Sequence, residues 1–166
     1  MGKFHLELAE EKTQRLAFGH YARANAYKKG EKPKDFAFLG MTFFCGKTRH
    51  GNLKVKRKTS RKKLQQSLAR FTDWIRRCRH LFPTGELLRR AKVRIQGHLN
   101  YYAITDNSES CELYGHLTRR VLFKWLNRRS QRKSYTWEGF LQALKHVGWP
   151  QERVRVHLNP FARLNG

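Results

Sequence analysis

The chain has 166 residues, and its 36 lysines and arginines outnumber its 12 aspartates and glutamates to give a net charge of +24 and an isoelectric point near 10.8. Folding does not require so large an excess of one sign, so the charge indicates a polyanionic partner, for which nucleic acid is the default. A hydrophobic content of 39% excludes a disordered basic tail. The sequence contains neither an apolar run long enough to span a bilayer nor a myristoylation signal. We therefore expect a soluble, cytoplasmic protein with no membrane partner.

The sequence predicts an α+β fold, whose N-terminal part is a small antiparallel β portion. Apolar residues alternate from Phe4 to Leu8 before a polar break, which predicts a strand, a turn and a second strand over residues 4–18. Residues 22–34 are polar and contain glycine and proline, so they are predicted to form a loop.

A β-hairpin is predicted next. Residues 36–44 are aromatic and rich in strand formers, and turn residues separate them from a return strand over residues 53–57. Three lysines at alternate positions share one face of this return strand, while Arg57 takes the other. A lysine row of this kind either solvates a sheet edge or contacts phosphate, and both interpretations stay open. The three lysines are Lys54, Lys56 and Lys58.

Two amphipathic helices are predicted to follow the hairpin. A cap at Thr59 or Ser60 begins the first, which runs to about His80. The second begins near Pro83 and reaches Tyr102. In both helices the apolar residues recur every three or four positions, which predicts one buried stripe on each.

A third helix and a short fourth helix complete the predicted bundle. The third follows a cap at Ser108, and the fourth covers residues 136–147. Helices joined by short loops favour a bundle over residues 59–150, followed by an extended tail over residues 151–166. The core face of the third helix is predicted to comprise Leu113, Leu117, Val121 and Phe123 to Leu126, including Trp125.

Two long stretches of the sequence contain no acidic residue. Between Phe36 and Thr72 there are ten lysines and arginines, and a second stretch runs from Leu113 to Trp137. The first straddles a predicted helix start, where the helix dipole and free backbone N–H groups favour phosphate. Each of these cations, taken singly, can instead simply solvate the surface. The candidates for phosphate contact are Lys54, Lys56, Arg57, Lys58, Arg61, Lys62, Lys63, Arg119, Arg120, Lys124, Arg128 and Arg129.

Two adjacent tyrosines carry a separate hypothesis. Tyr101 is a candidate for stacking on a base or ribose. The competing interpretation is core packing, since aromatic residues at helical spacing usually bury, and at least one of Tyr101 and Tyr102 is expected to face the core.

The sequence favours a binding module without a cofactor or a metal. Metal-dependent phosphoryl transfer needs clustered carboxylates, whereas Asp35, Asp73 and Asp106 fall in three separate predicted elements. The three cysteines form no C-x-x-C pair, which argues against a zinc site and against a disulfide framework. A catalytic pair of Cys111 and His116 is rejected, because a separation of five residues on a helix points the side chains apart.

Five blocks of sequence run in order along the chain. They are Leu6-x-Leu8-x-x-Glu11-Lys12-Thr13, Phe36-x-Phe38-Leu39-Gly40-Met41, Val55-Lys56-Arg57-Lys58-Thr59-Ser60, Gly97-His98-x-Asn100-Tyr101-Tyr102 and Leu122-x-Lys124-Trp125-Leu126-Asn127-Arg128-Arg129-Ser130. In order and spacing they closely resemble the C-terminal part of group II intron reverse transcriptases, the intron maturases.

The resemblance implies a domain organisation. Residues 1–58 would derive from the last strands of a polymerase palm, with a hairpin beginning at Leu39-Gly40, and residues 59–150 would form the thumb, or X maturase, domain. That domain is implied to bind intron RNA for splicing and to hold an RNA–DNA duplex during reverse transcription.

The resemblance also bears on catalysis. The fingers and the Ala-Asp-Asp-type catalytic motif would lie before Met1, so no polymerase activity is expected from this chain alone. The alternative is that the chain is the thumb half of a split RNA-directed DNA polymerase, active only with a separate fingers-palm chain.

Overall fold

The fold is of the α+β class, as predicted, in a computed structural model that describes residues 20–129 and 135–156. A three-stranded antiparallel sheet in the order β1-β2-β3 is followed by helices. The strands predicted over residues 4–18 lie outside the described residues. The elements are α1 (His20–Lys28), β1 (Phe36–Phe38), β2 (Met41–Lys47), β3 (Leu53–Thr59), α2 (Arg61–Cys78), α3 (Thr84–Tyr102), α4 (Ser108–Leu126) and α5 (Trp137–His146).

The chain divides into two compact units. Among the described residues, the first takes in residues 20–36 together with Phe43–Lys56, and the second takes in Ala37–Thr42 together with residues 57–129 and 135–156. Helices α2 to α5 therefore all belong to the second unit, and the buried core described below lies there.

Helix α1 contradicts the loop predicted over residues 22–34. It occupies His20–Lys28, and only the residues after it, up to β1, lack regular structure. The prediction gave most weight to polarity and to glycine and proline, but alternate positions of α1 are alanines, which have the highest helix propensity of any residue.

The stretch predicted as one strand over residues 36–44 is two strands joined by a tight turn. Leu39 and Gly40 both have positive φ angles, 49° and 78°. Two consecutive positive φ angles are the signature of the two-residue turns that join antiparallel strands. The turn lies at the Leu-Gly pair where the resemblance implied that a hairpin begins.

The core of the second unit is built by helices α2, α3 and α4, with α5 contributing Phe140 and Leu144. Helix α2 packs against α3 and α4, and α3 packs against α4. Both helices bury apolar residues at helical spacing, as predicted, and together they supply half of the buried apolar residues in the described part of the chain. The buried residues of these two helices are Phe71, Trp74, Ile75, Leu87, Leu88, Ala91, Ile95, Leu99 and Tyr102.

The predicted core face of α4 is correct at Leu126 but wrong in register over the rest of the helix. Leu113 is 48% exposed, whereas its neighbour Tyr114 is only 3% exposed. The true face admits a threonine, because the hydroxyl of Thr118 donates to the carbonyl oxygen of Tyr114 at 2.8 Å and so needs no water. The buried residues of α4 are Cys111, Tyr114, Gly115, Thr118, Leu122 and Leu126.

Two further expectations for α4 are corrected. Trp125 was assigned to the core, but it is only half-buried, and cationic side chains lie over its ring. The N-cap is Asn107 rather than Ser108, and the Asn107 side chain makes no capping bond. Its amide is used for buried contacts with the preceding part of the chain.

The extended C-terminal segment, residues 151–156, docks on the loop between α3 and α4. The Arg155 backbone N–H donates to the Ala103 carbonyl oxygen at 2.7 Å, and the Thr105 N–H donates to the Val156 carbonyl oxygen at 3.1 Å. Ile104 and Val156 form a parallel bridge. The extended tail over residues 151–166 stays a prediction, since residues 157–166 lie outside the described range.

Burial also governs the chemistry of one thiol in this unit. Cys111 is buried on α4, and desolvation raises its pKa to about 11. Across the described part of the chain, no helix combines the length and the apolar character needed to cross a bilayer.

Candidate nucleic-acid interface

The N-terminus of α2 presents exposed positive charge. Ser60 caps the helix, and its Oγ accepts from the Lys63 backbone N–H at 3.3 Å. The first turn contains no acidic residue. Arg61 and Lys62 are exposed, whereas Lys63 is half-buried with its side-chain carbons against Gly40. The helix dipole adds to the field of Arg61 and Lys62, so this corner favours an anion.

The candidate cations of β3 differ in exposure. Lys58 is exposed, whereas Lys54 and Lys56 are half-buried. The carbon stem of Lys56 lies across Gly46, where an added Cβ would come within 2.7 Å of it. Arg57 is half-buried, and its Nε is enclosed without a hydrogen-bond partner among the described residues. Lys58 is therefore the most accessible of the four to a phosphate.

Two of the candidate arginines on α4 are engaged within the protein. Arg119 forms an ion pair with Glu152 of the C-terminal segment, and both side chains are largely buried. Arg129 donates to the Phe82 carbonyl oxygen at 2.8 Å and to Thr84 Oγ1 at 2.9 Å. The two hydrogen bonds of Arg129 join the end of α4 to the start of α3, and the ion pair of Arg119 joins α4 to the C-terminal segment. Both arginines therefore stabilise the fold.

Three cations converge on one tryptophan ring. The guanidinium carbon of Arg79 lies 4.6 Å from the Trp125 ring centroid, that of Arg128 lies 5.6 Å away, and Lys124 Nζ lies 5.9 Å away. Each lies within the range of a cation–π attraction. Arg128 and Lys124 were predicted site residues. Arg79 was missed, because only the packing of α2 against α4 brings it there.

A cleft of about 680 Å³ opens beside α4 and α5. His116, Arg120 and Lys124 lie along it at intervals of four residues on α4. Arg120 and Lys124 were predicted site residues but the cleft was not predicted, although the four-residue spacing of three basic side chains is a signal for one helix face. Its remaining lining residues are Val121, Phe123 and Trp137.

The two tyrosines at the end of α3 have different environments. Tyr102 is 5% exposed and belongs to the core, whereas Tyr101 is 50% exposed. The Tyr101 hydroxyl donates to the Leu39 carbonyl oxygen at 3.0 Å, and its ring meets that of Tyr102 edge to face at 4.7 Å. The ring of Tyr101 is thus accessible to solvent, while its hydroxyl is fixed by the hydrogen bond to Leu39.

A histidine lies inside the second unit between aromatic rings. The ring of His98 stacks on Tyr114 with centroids 3.7 Å apart, and its Nε2 is buried without a hydrogen-bond partner among the described residues. Arg70 and Arg94 line the same pocket, of about 250 Å³. Desolvation lowers the pKa of His98 to about 4, so the imidazole is neutral near pH 7.

The aspartates Asp73 and Asp106 lie in different parts of the fold. Asp73 lies 3.6 Å from Arg76 one turn along α2, and Asp106 adopts a positive φ of 74° in the loop before α4. A cluster of three or more His, Cys, Asp or Glu side chains suited to a metal ion does not occur within residues 20–129 and 135–156.

Comparison with known proteins gave one match. A family model described as "Group II intron, maturase-specific domain" matches residues 64–143, which run from the first turns of α2 into α5. Neither the curated proteins nor the solved structures gave a significant match. The matched range contains the cations that flank Trp125 and, within the described part of the chain, the residues that line the cleft.

Proposed function

Because residues 64–143 are a group II intron maturase-specific domain, we propose that this chain binds structured intron RNA through its phosphates and thereby assists splicing. The observation that carries the proposal is the set of exposed cations on α4. Arg120, Lys124 and Arg128 are exposed, and the ion pairs found within the described residues involve none of them. Positive charge that the protein leaves uncompensated is available to neutralise phosphates.

The N-terminus of α2 is proposed as a second contact. Arg61 and Lys62 are exposed just before the matched range. Structured RNA is recognised largely through shape, 2′-hydroxyls and phosphates, which suits fixed cations on a rigid helical scaffold. An RNA–DNA duplex presents a similar backbone and is a secondary substrate of the same proposal.

Binding to a folded group II intron RNA, measured against ionic strength, tests the proposal. Each phosphate neutralised contributes about 0.9 to the log–log slope on duplex DNA and less on single strands, so several contacts give a slope of several units. The double variant Arg61→Glu/Lys62→Glu should weaken binding to all structured RNAs alike.

A matched control separates local contact from overall charge. Lys28→Glu/Lys29→Glu changes the net charge by the same amount at exposed positions at the end of α1. It should weaken binding much less than Arg61→Glu/Lys62→Glu. Equal losses for both variants, or a slope near zero for the wild type, would overturn the phosphate role.

We propose that the chain does not polymerise DNA by itself. In support, a maturase-specific domain alone fits a non-catalytic fragment. The direct tests are intron splicing at limiting Mg²⁺ and primer extension, each with and without the chain. Faster splicing without primer extension supports the proposal. Primer extension that appears only when a separate fingers-palm chain is added would replace it with the split-polymerase alternative.

A further inference from the structure

The aromatic side of the cleft beside α4 and α5 is a rigid platform. Ring centroids are 5.1 Å apart for Phe123 and Trp137, 5.5 Å for Trp137 and Phe140, and 5.4 Å for Phe123 and Phe140. Phe140 is fully buried, which fixes the cluster from below, whereas Trp137 is 38% exposed. Thr136 caps α5 by accepting from the Gly139 N–H at 3.2 Å, so Trp137 is held at a defined helix start. A platform ordered before binding loses little entropy when it is occupied.

The opposite side of the cleft is positively charged. His116, Arg120 and Lys124 form a row with a four-residue period on α4. Arg120 and Lys124 are exposed, and neither takes part in an ion pair found within the described residues. Lys124 also faces the Trp125 ring, so it connects the cleft with the cations around that ring.

The combination favours one kind of occupant. The cleft volume of about 680 Å³ falls in the range of about 300–1,000 Å³ that is usual for small-molecule sites. Aromatic faces beside cations match a nucleobase together with its phosphate. A paired duplex keeps the faces of its bases stacked on each other, so only an unpaired nucleotide can use the rings.

We propose that this cleft holds an unpaired base of a single-stranded or looped RNA segment, with the base stacked on the Trp137 ring and in edge contact with Phe123, whose ring is nearly perpendicular to that of Trp137, and with its phosphate on Arg120 and Lys124. The inference rests on the proposed RNA binding and adds to it a site that selects unpaired nucleotides. Arg61 and Lys62 at the N-terminus of α2, together with the cations around Trp125, then contact the backbone of the neighbouring helical RNA.

Two RNAs of equal length test the inference, one unpaired and one a fully paired duplex. Trp137→Leu removes the ring, and binding to the unpaired RNA should weaken about tenfold, since stacking contributes about 1–3 kcal/mol per base. Binding to the duplex should not change. Trp137→Phe keeps a ring and should retain most of the affinity. Leu141→Ala, at an exposed apolar position of the same helix outside the cleft lining, is the matched control and should bind both RNAs like the wild type.

A measurement on the wild-type protein avoids any dependence on how the variants fold. Unpaired RNA that carries 4-thiouridine should photocrosslink to a peptide that contains Phe123 or Trp137. Crosslinks confined to other peptides would overturn the inference, and so would a Trp137→Leu variant that binds unpaired RNA as tightly as the control or loses affinity for both RNAs equally. If salt-dependent binding persists in those cases, the proposed function survives. A wild-type protein without salt-dependent binding would instead overturn the proposed function itself.

Discussion

The side chain of Asn107 closes a reciprocal pair of hydrogen bonds with Thr59. Its Oδ1 accepts from the Thr59 backbone N–H at 2.7 Å, and its Nδ2 donates to Thr59 Oγ1 at 2.8 Å. The same Nδ2 donates to the Tyr102 carbonyl oxygen at 2.7 Å. Both residues are buried. One amide therefore joins the end of β3 to the end of α3 and the start of α4.

Removing this amide should destabilise the protein strongly. Asn107→Ala leaves the buried Thr59 N–H without a partner and removes one of the two hydrogen bonds that the Tyr102 carbonyl accepts, so we expect a loss of about 2–4 kcal/mol in the free energy of unfolding. Urea denaturation measures it. Thr59→Val removes only the hydroxyl and keeps the shape, and it should cost about 1 kcal/mol. Equal losses for the two variants would contradict the central role of Asn107.

The burial of His98 should make stability depend on pH. The pKa of His98 in the folded protein is about 4, below the ordinary value of 6.5. The unfolded chain therefore takes up a proton as the pH falls through 6.5, while the folded protein resists protonation until about pH 4. The contribution of neutral His98 to the free energy of unfolding should thus be fully present above pH 6.5. It should be lost as the pH falls from 6.5 to 4, which lowers the free energy of unfolding by up to about 3 kcal/mol.

The variant His98→Phe isolates this contribution. Phenylalanine can keep the stacking on Tyr114 but does not titrate. The difference in unfolding free energy between the wild type and His98→Phe should therefore shift against the wild type as the pH is lowered from 7 to 4. Denaturation midpoints at several pH values measure it, and a difference that does not vary with pH would show that His98 is protonated alike in both states.

Neighbouring arginines on α4 should give opposite results. Arg119→Gln breaks the ion pair with Glu152 and should cost about 1–2 kcal/mol of stability, with faster amide exchange over residues 151–156. Its effect on RNA affinity should be small. Arg120→Gln should leave the unfolding free energy nearly unchanged and should lower the log–log salt slope of RNA binding by up to about 0.9. Loss of RNA affinity with Arg119→Gln, at unchanged stability, would show that Arg119 contacts RNA.

The turn between β1 and β2 should tolerate some residues and reject others. Leu39 is 68% exposed and holds a positive φ of 49°, so Leu39→Asn should stabilise the protein by about 1 kcal/mol, because asparagine adopts this conformation more readily. Gly40→Ala should destabilise it, since φ is 78° and an added Cβ would come within 2.7 Å of the Tyr102 hydroxyl oxygen. Thermal melts of the two variants should move in opposite directions.

Helices α2, α3 and α5 were predictable because their signals are local. Ser60 and Thr136 are caps whose side chains accept from the third helical N–H, and the buried stripes of α2 and α3 follow helical spacing. The end of α5 was also readable, because Gly148 has the positive φ that commonly follows a helix.

The register of α4 was not predictable in the same way. Its buried face contains Gly115 and Thr118 where hydrophobicity alone favours Leu113 and Leu117. An added Cβ at Gly115 would clash with the Glu152 side chain, so this face of α4 packs closely against the C-terminal segment. That contact joins residues far apart in sequence, so no local pattern carries it.

The candidate site, too, was predictable only in its local features. The charge pattern located the cations but could not tell which of them the fold uses. Arg119 and Arg120 are adjacent, yet one pairs with Glu152 and the other lies on the cleft. Trp125 appeared to be a core residue because aromatic residues at helical spacing usually bury, but the packing of α2 places Arg79 over its ring.

The buried thiol of Cys111 can report how often α4 separates from the helices around it. The thiolate is the form that attacks alkylating reagents, and a pKa of about 11 keeps it scarce, while side chains from the core shield the sulfur itself. The rate at which Cys111 is modified at mild alkaline pH should therefore follow the fraction of molecules whose α4 has separated from its neighbours. Covalent labelling followed by mass spectrometry can read that fraction in free and RNA-bound protein alike.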